Sequence, residues 1–219
     1  PTMPLDLDPS SHTRQLRAAV AHLESQNPKF TPLFQQFGLP RVSVSKNLFL
    51  NLIKSIVYQQ LAGAAAHKIF SRFLALFFPT TPVNTSVQGS EAFAAFFNDE
   101  TKVLSPMAVA SMDAQKLRDA GLSTRKAEYI QGLAQAVMSG QLDLENIRNA
   151  SDDCVTQQVT SVRGLGPWTA DMFKMFALGR MDVLPTGDLG IQKGFQRFFG
   201  LSKLPSPAEM QRLAAPWAP

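Results

Sequence analysis

The chain has 219 residues, 45% of them hydrophobic, which suits one large domain or two intimate lobes around an ample core. Twenty-one basic residues against 17 acidic ones leave a net charge of +4, a balance that permits a polyanionic partner without proving one. A single cysteine, Cys154, excludes internal disulfides and four-cysteine zinc or iron–sulfur sites, and points to a reducing compartment. Cys154 itself reads as a small buried apolar residue. His12, His22 and His67 are scattered, so no catalytic metal is expected. No apolar run approaches the length of a membrane span and the N-terminus lacks a signal-like apolar core, which predicts a protein with no membrane partner. A chain that opens at Pro1 and stops at Ala215-Pro216-Trp217-Ala218-Pro219 is expected to be a fragment of a longer product.

Residues 1–13 are rich in Pro, Ser and Asp and are expected to be loosely draped, up to a helix over 14–26 with Leu16, Ala19, Val20 and Leu23 as its buried stripe. The run from Asn47 to Leu61 places Leu48, Phe49, Leu52, Ile53, Ile56 and Val57 on one helical side. It ends in Tyr58-Gln59-Gln60-Leu61-Ala62-Gly63, and a second helix follows with Ile69, Phe70, Phe73, Leu74 and Phe77 as its core face. Pro79 to Glu91 reads as a surface loop. Ser105-Pro106 starts a short helix, and Asp113 caps another that stops at Gly121. Ser123 opens a helix over 124–138 whose Tyr129, Ile130, Leu133, Ala134 and Val137 face the core.

Val155, Val159 and Val162 then recur at helical spacing, as do Trp168, Met172, Phe173 and Phe176 beyond the turn Arg163-Gly164-Leu165-Gly166-Pro167. Gly164 and Gly166 supply the backbone freedom that a tight turn needs, and Pro167 fits the first helical position. The second helix therefore opens with bare amides backed by its dipole, a site for a phosphate oxygen. A dinucleotide fingerprint would need a third glycine where Thr169 stands and a strand where a helix is predicted. A merely structural helical hairpin stays open on the turn alone. About twenty residues on, Pro185-Thr186-Gly187-Asp188 precedes the stripe Ile191, Phe195, Phe198 and Phe199, so Asp188 is a natural helix N-cap. Ser206-Pro207-Ala208-Glu209 is a capping box. Strand signals are nearly absent, and the expected class is all-α.

Val162-Arg163-Gly164-Leu165-Gly166-Pro167-Trp168-Thr169-Ala170 with Asp188 beyond it resembles the signature of the helix-hairpin-helix (HhH-GPD) DNA glycosylase superfamily. Ile56-Val57-Tyr58-Gln59-Gln60-Leu61 is similar to the alkylpurine (3-methyladenine DNA glycosylase II) branch, and Gly121 to Ile130 to a further superfamily motif. The resemblance covers roughly Asn47 to Trp217. It implies one domain over residues 1–219, folded as a two-lobed helical bundle with the hairpin and Asp188 at the cleft. One lobe spans about 45–165; the other joins the N-terminal helix to about 168–219.

The resemblance further implies a monofunctional glycosylase that flips an alkylated purine from double-stranded DNA and hydrolyses its N-glycosidic bond. Asp188 is the implied catalyst, Trp168 and Met172 the implied base pocket, and Gln60 with Leu61 the implied wedge. Gly164, Leu165, Gly166 and Thr169 would meet DNA phosphate, with Arg125 and Lys126 as further phosphate candidates. The carbonyls of Thr160, Val162 and Leu165 would hold a structural monovalent cation (Na or K), no other cofactor being implied. Trp168 stands where bifunctional members carry a nucleophilic lysine, which implies no Schiff base and no strand cleavage. Met172 departs from the second aromatic common in the family and leaves substrate range open. A monomer is expected, nuclear in a eukaryote and cytoplasmic otherwise. A glycosylase for deaminated or mismatched bases and a non-catalytic DNA-binding hairpin protein remain as alternatives.

Overall fold

The computed structural model describes residues 9–40, 44–79, 99 and 102–218, and every regular element among them is helical. In chain order these are α1 (Pro9–Gln26), α2 (Phe30–Phe37), α3 (Leu48–Tyr58), α4 (Gly63–Ala75), α5 (Pro106–Ala110), α6 (Ala114–Asp119) and α7 (Thr124–Met138). A 3-10 turn, Ile147–Asn149, leads into α8 (Asp152–Ser161), α9 (Pro167–Phe176), α10 (Leu189–Phe199), α11 (Pro207–Ala214) and a last 3-10 turn, Ala215–Trp217. Apart from Pro79, the loop expected over 79–91 lies outside the described residues, as do residues 1–8.

Short polar side chains start these helices by taking up amides that the first turn leaves without carbonyl partners. Asn47 accepts from the Leu50 amide at 3.0 Å, Asp113 from Gln115 at 2.7 Å and Ser206 from Glu209 at 3.2 Å. Ser105, Ser123 and Ser151 cap α5, α7 and α8 in the same way. Helix α1 begins at Pro9, earlier than its apolar stripe indicates, because proline is tolerated in a first turn. Apolar periodicity does not reveal α2: eight residues with Pro32 in the first turn are too short a stretch to establish a period.

Two separate apolar clusters form. The larger joins Leu52, Ile53 and Ile56 of α3 to Phe70 and Phe73 of α4, Ile130 and Leu133 of α7, Val155 and Val159 of α8, and Ala170 and Phe173 of α9. The smaller is aromatic. Phe30 of α2 lies 4.7 Å from Phe198 and 5.0 Å from Trp217, centroid to centroid, and Phe195 of α10 lies 5.2 Å from Trp217. The chain thus begins and ends in one cluster and builds the other in between. The larger core runs on to Leu178, because α9 turns its Ala170–Phe173–Ala177 side into it.

One expectation changes, and another is refined. The apolar residues that recur at helical spacing in α9 divide between two faces: Phe173 is fully buried, whereas Trp168, Met172 and Phe176, each four residues apart, form a second ridge whose last member is 45% exposed. Cys154 is half-buried, with the Gln158 amide 3.4 Å from its sulfur. Because Phe173 ties the hairpin to the main core, Phe173→Ala is expected to cost about 3–5 kcal/mol of stability, read from urea unfolding midpoints.

Candidate active site

The hairpin between α8 and α9 turns at Gly164, where φ is +94°. A Cβ built there would sit 2.4 Å from the Tyr129 ring, so the backbone lies directly on that face. The Arg163 guanidinium is 5.6 Å from the same ring's centroid and 3.9 Å from Glu128. The Leu165 amide donates to the Val162 carbonyl at 3.0 Å, which closes the turn and removes that amide as a free phosphate donor. Gly166 is the extended N-cap of α9 and Pro167 its first residue. Helix geometry therefore leaves the amides of Gly166, Trp168 and Thr169 without intrahelical carbonyls at the positive end of the dipole. Thr169 as a whole residue is only 2% exposed, so neither its side chain nor its amide stands at the surface, whereas Gly166 and Trp168 are half-buried. Gly164→Ala is expected to prevent the turn from seating on Tyr129, since it adds a clash to a strained φ. Lost DNA binding, with a melting temperature lowered by several degrees, is the expected readout.

The turn after α3 faces this hairpin. Gln59 caps α3, and its Nε2 donates to the Gly164 carbonyl at 2.8 Å. Gln60 has φ +56°, the one positive value outside glycine among the described residues. Gln60 is exposed, as is Leu61 beside it at 39%. Lys126, expected as a phosphate contact, is engaged elsewhere. Its Nζ donates to the carbonyls of Val57 at 2.7 Å and Gln59 at 2.8 Å, because the carbonyls that end α3 need donors. Burial pushes its pKa down. Arg125 is exposed on the first turn of α7.

Asp188 ends a tight turn, its amide donating to the Pro185 carbonyl at 2.9 Å, and caps α10 as the sequence predicts. One carboxylate oxygen accepts from the Ile191 amide at 2.9 Å, and the other from the Trp168 indole N–H at 2.8 Å. The indole bond, then the Ile191 amide, hold the carboxyl below the ordinary aspartate range against partial burial. The group is ionised at neutral pH. The resemblance implies Trp168 as a pocket wall in place of a lysine; no local pattern announces its bond to Asp188, which depends on where α9 points. Trp168 and Met172 do share a ridge of α9, as a common wall requires.

Two arginines that sequence reasoning missed anchor the segment leading to Asp188. Arg148 donates to the carbonyls of Ala177 at 3.2 Å and Ser45 at 3.1 Å, and Arg180 to those of Arg148 at 3.1 Å and Ala150 at 2.8 Å. Arg180 is buried with Asp152 at 3.4 Å. Neither sits in a recognisable motif, so no sequence signal could have found them.

A helical hairpin whose second helix opens with free amides, set beside a carboxylate held ionised at another helix N-terminus, defines a protein built to grip a polyanion beside a fixed negative charge. The chain belongs to the HhH-GPD superfamily of base excision DNA repair proteins, whose sequence model matches residues 53–219. DNA-3-methyladenine glycosylase 1 of Schizosaccharomyces pombe is 28% identical over 209 residues, 93% of this chain and 82% of that protein. The Bacillus subtilis protein YfjP is 27% identical over 187 residues, 85% of this chain but only 60% of YfjP. Among solved structures, the S. pombe 3-methyladenine DNA glycosylase in complex with abasic DNA superposes with a TM-score of 0.74 at 26% identity, over 92% of this chain and 90% of that one. A DNA-3-methyladenine glycosidase from Bacillus halodurans gives a TM-score of 0.72 at 29% identity, over 92% and 82%.

Since Asp188 has a depressed pKa, its helix-capping contribution to stability is present above the ordinary carboxylate pKa and is lost as pH falls through the folded value. Trp168→Phe removes the largest cause of the depression. The Asp188 carboxyl should then titrate closer to the ordinary range when followed by carbon-13 NMR. An unchanged titration would show that the indole bond does not set the charge.

Proposed function

We infer that this chain is a monofunctional glycosylase that excises alkylated purines, 3-methyladenine foremost, from double-stranded DNA. The observation that carries the reading is Asp188. It is an ionised carboxylate whose Oδ1 serves the helix amides while its Oδ2 accepts only the indole N–H, so Oδ2 keeps a lone pair for charge that develops nearby. As the N-glycosidic bond breaks, its electron pair leaves with the base and the sugar becomes cationic. A fixed anion with no need to reorganise stabilises that charge. An alkylated purine leaves readily because the base already bears positive charge. Water then completes hydrolysis at the sugar carbon.

Other residues hold the substrate. Trp168 and Met172 wall the space for the extruded base, and an electron-poor alkylated ring stacks on the indole. Trp168 offers no amine for a Schiff base, which supports hydrolysis without strand cleavage. Gln60 and Leu61, exposed on their turn, suit a wedge that fills the gap left by the flipped nucleotide. The amides of Gly166 and Trp168, with Gly164 allowing close approach, suit a DNA phosphate, and buried Thr169 supports the turn behind them. A monovalent cation would sit on the carbonyls of Thr160, Val162 and Leu165. The fit is one of donor chemistry: Thr160 and Val162 offer neutral carbonyl oxygens at the negative end of α8, the Val162 one also accepting the Leu165 amide, and Leu165 offers one from the turn, while the Thr160 hydroxyl is turned back onto Thr156 at 2.7 Å. When bound, such an ion would supply positive charge toward a phosphate and take no part in the bond cleavage.

We propose that the protein works as a monomer where the genome is, in the nucleus of a eukaryote or the cytoplasm otherwise. Asp188→Asn tests the reading. Excision from methylated DNA should fall by about 10²–10³ while binding to DNA with an abasic analogue persists. The asparagine amide meets the Trp168 N–H, so thermal melting accompanies the assay. Full activity in the variant would leave a DNA-binding hairpin without chemistry as the better description. Release of deaminated bases in preference to methylated ones would favour the other glycosylase class.

A further inference from the structure

We propose that Gln59 and Lys126 are positioning residues that lock the exposed turn of Gln60 to the Gly164 hairpin, so that both engage one duplex in fixed register. The proposal rests on the reading of Gln60 as a wedge and goes beyond it.

The geometry is that of a clamp. Helix α3 ends with carbonyls that would otherwise need water, and Lys126 takes two of them, on Val57 and on Gln59. The Gln59 side chain then reaches across 105 residues of sequence to the Gly164 carbonyl at 2.8 Å. The next residue, Gln60, occupies a left-handed backbone conformation that side chains other than glycine avoid. Such strain persists where the surroundings over-determine it, and here the preceding residue is held through both its backbone carbonyl and its side-chain amide. Tyr129, one turn along α7 from Lys126, lies under Gly164. The first turns of α7 therefore carry both the wedge turn and the hairpin. Binding energy gained from phosphate at the hairpin can then drive Gln60 into the base stack with no loss to a flexible joint.

A residue that acts through the wedge matters only where there is a stack to enter. The test uses the full chain carrying Gln59→Leu, Lys126→Met or Lys126→Arg, each alone and with Gln60→Ala, and methylated oligonucleotides in duplex and single-stranded form. Gln59→Leu should lower duplex excision about tenfold, the value of one partly buried hydrogen bond, and leave single-strand excision within about twofold. In the Gln60→Ala background that cost should largely vanish, since both act on the same step. Lys126→Arg should recover part of what Lys126→Met loses. Duplex flipping, followed by 2-aminopurine fluorescence, should weaken in parallel. Should Gln59→Leu fail to fold, Gln59→Asn makes the same comparison, keeping the amide but falling short of Gly164. Equal losses on both substrates, or losses that multiply with Gln60→Ala, would overturn the proposal. Absence of base release by the unaltered chain would instead sink the glycosylase reading and leave the clamp to be judged from the fluorescence alone.

Discussion

Contact between the Gly164 backbone and the Tyr129 ring is the constraint on which the rest of the site depends. A positive φ sends the chain back on itself after α8, and the missing Cβ lets the peptide lie on the ring. From that point the direction of α9 is settled, and with it the amides at its start and the indole of Trp168. Gly164 also presents its carbonyl to Gln59, so the same peptide unit that turns the hairpin receives the turn after α3. Any other residue there would lift the hairpin off α7 and displace all of these groups together.

Asp188 joins a structural role, the cap of α10, to a fixed negative charge beside α9. The indole bond, and after it the capping bond to α10, keep the carboxylate ionised, and together they fix both of its oxygens. Neither bond uses up the acceptor capacity of the group. The charge is held without a cationic partner among the bonds that lower its pKa, so its field is not cancelled at short range. Upstream, Arg148 and Arg180 fasten the backbone from Ala177 onward to the 3-10 turn before α8. Their guanidinium groups satisfy several carbonyls at once, which suits a segment that leaves one core and enters another.

Two apolar clusters with α9 on their border make the site an edge between lobes. The larger cluster holds the hairpin and the turn of Gln60; the aromatic one holds the helix that Asp188 caps. Lysines serve as helix-ending donors in both. Lys126 closes α3, and Lys29 donates to the Phe198 carbonyl of α10 at 3.1 Å. A basic residue near a DNA-binding surface is thus not by that fact a phosphate contact.

Much of the site was legible in the sequence because its parts are local. A glycine-rich turn with proline at the first helical position, a short polar residue before an apolar stripe and a run of period near 3.6 are each written within a few neighbouring residues. Hence the hairpin, the capping role of Asp188, the helix over 124–138 and the all-α class followed from reading alone. Their mutual geometry did not. The bond from Trp168 to Asp188, the reach of Gln59 to Gly164, the diversion of Lys126 to the carbonyls of α3 and the arginine anchors all join residues far apart in sequence. A lysine on a first turn looks the same in sequence whether it faces solvent or a helix end. Local periodicity also does not separate the two faces of α9, since residues three and four apart both satisfy it, and only the neighbour packed against Phe173 decides which face is buried. Sequence determines which groups each turn of chain can offer; packing of one helix against another decides which of them meet.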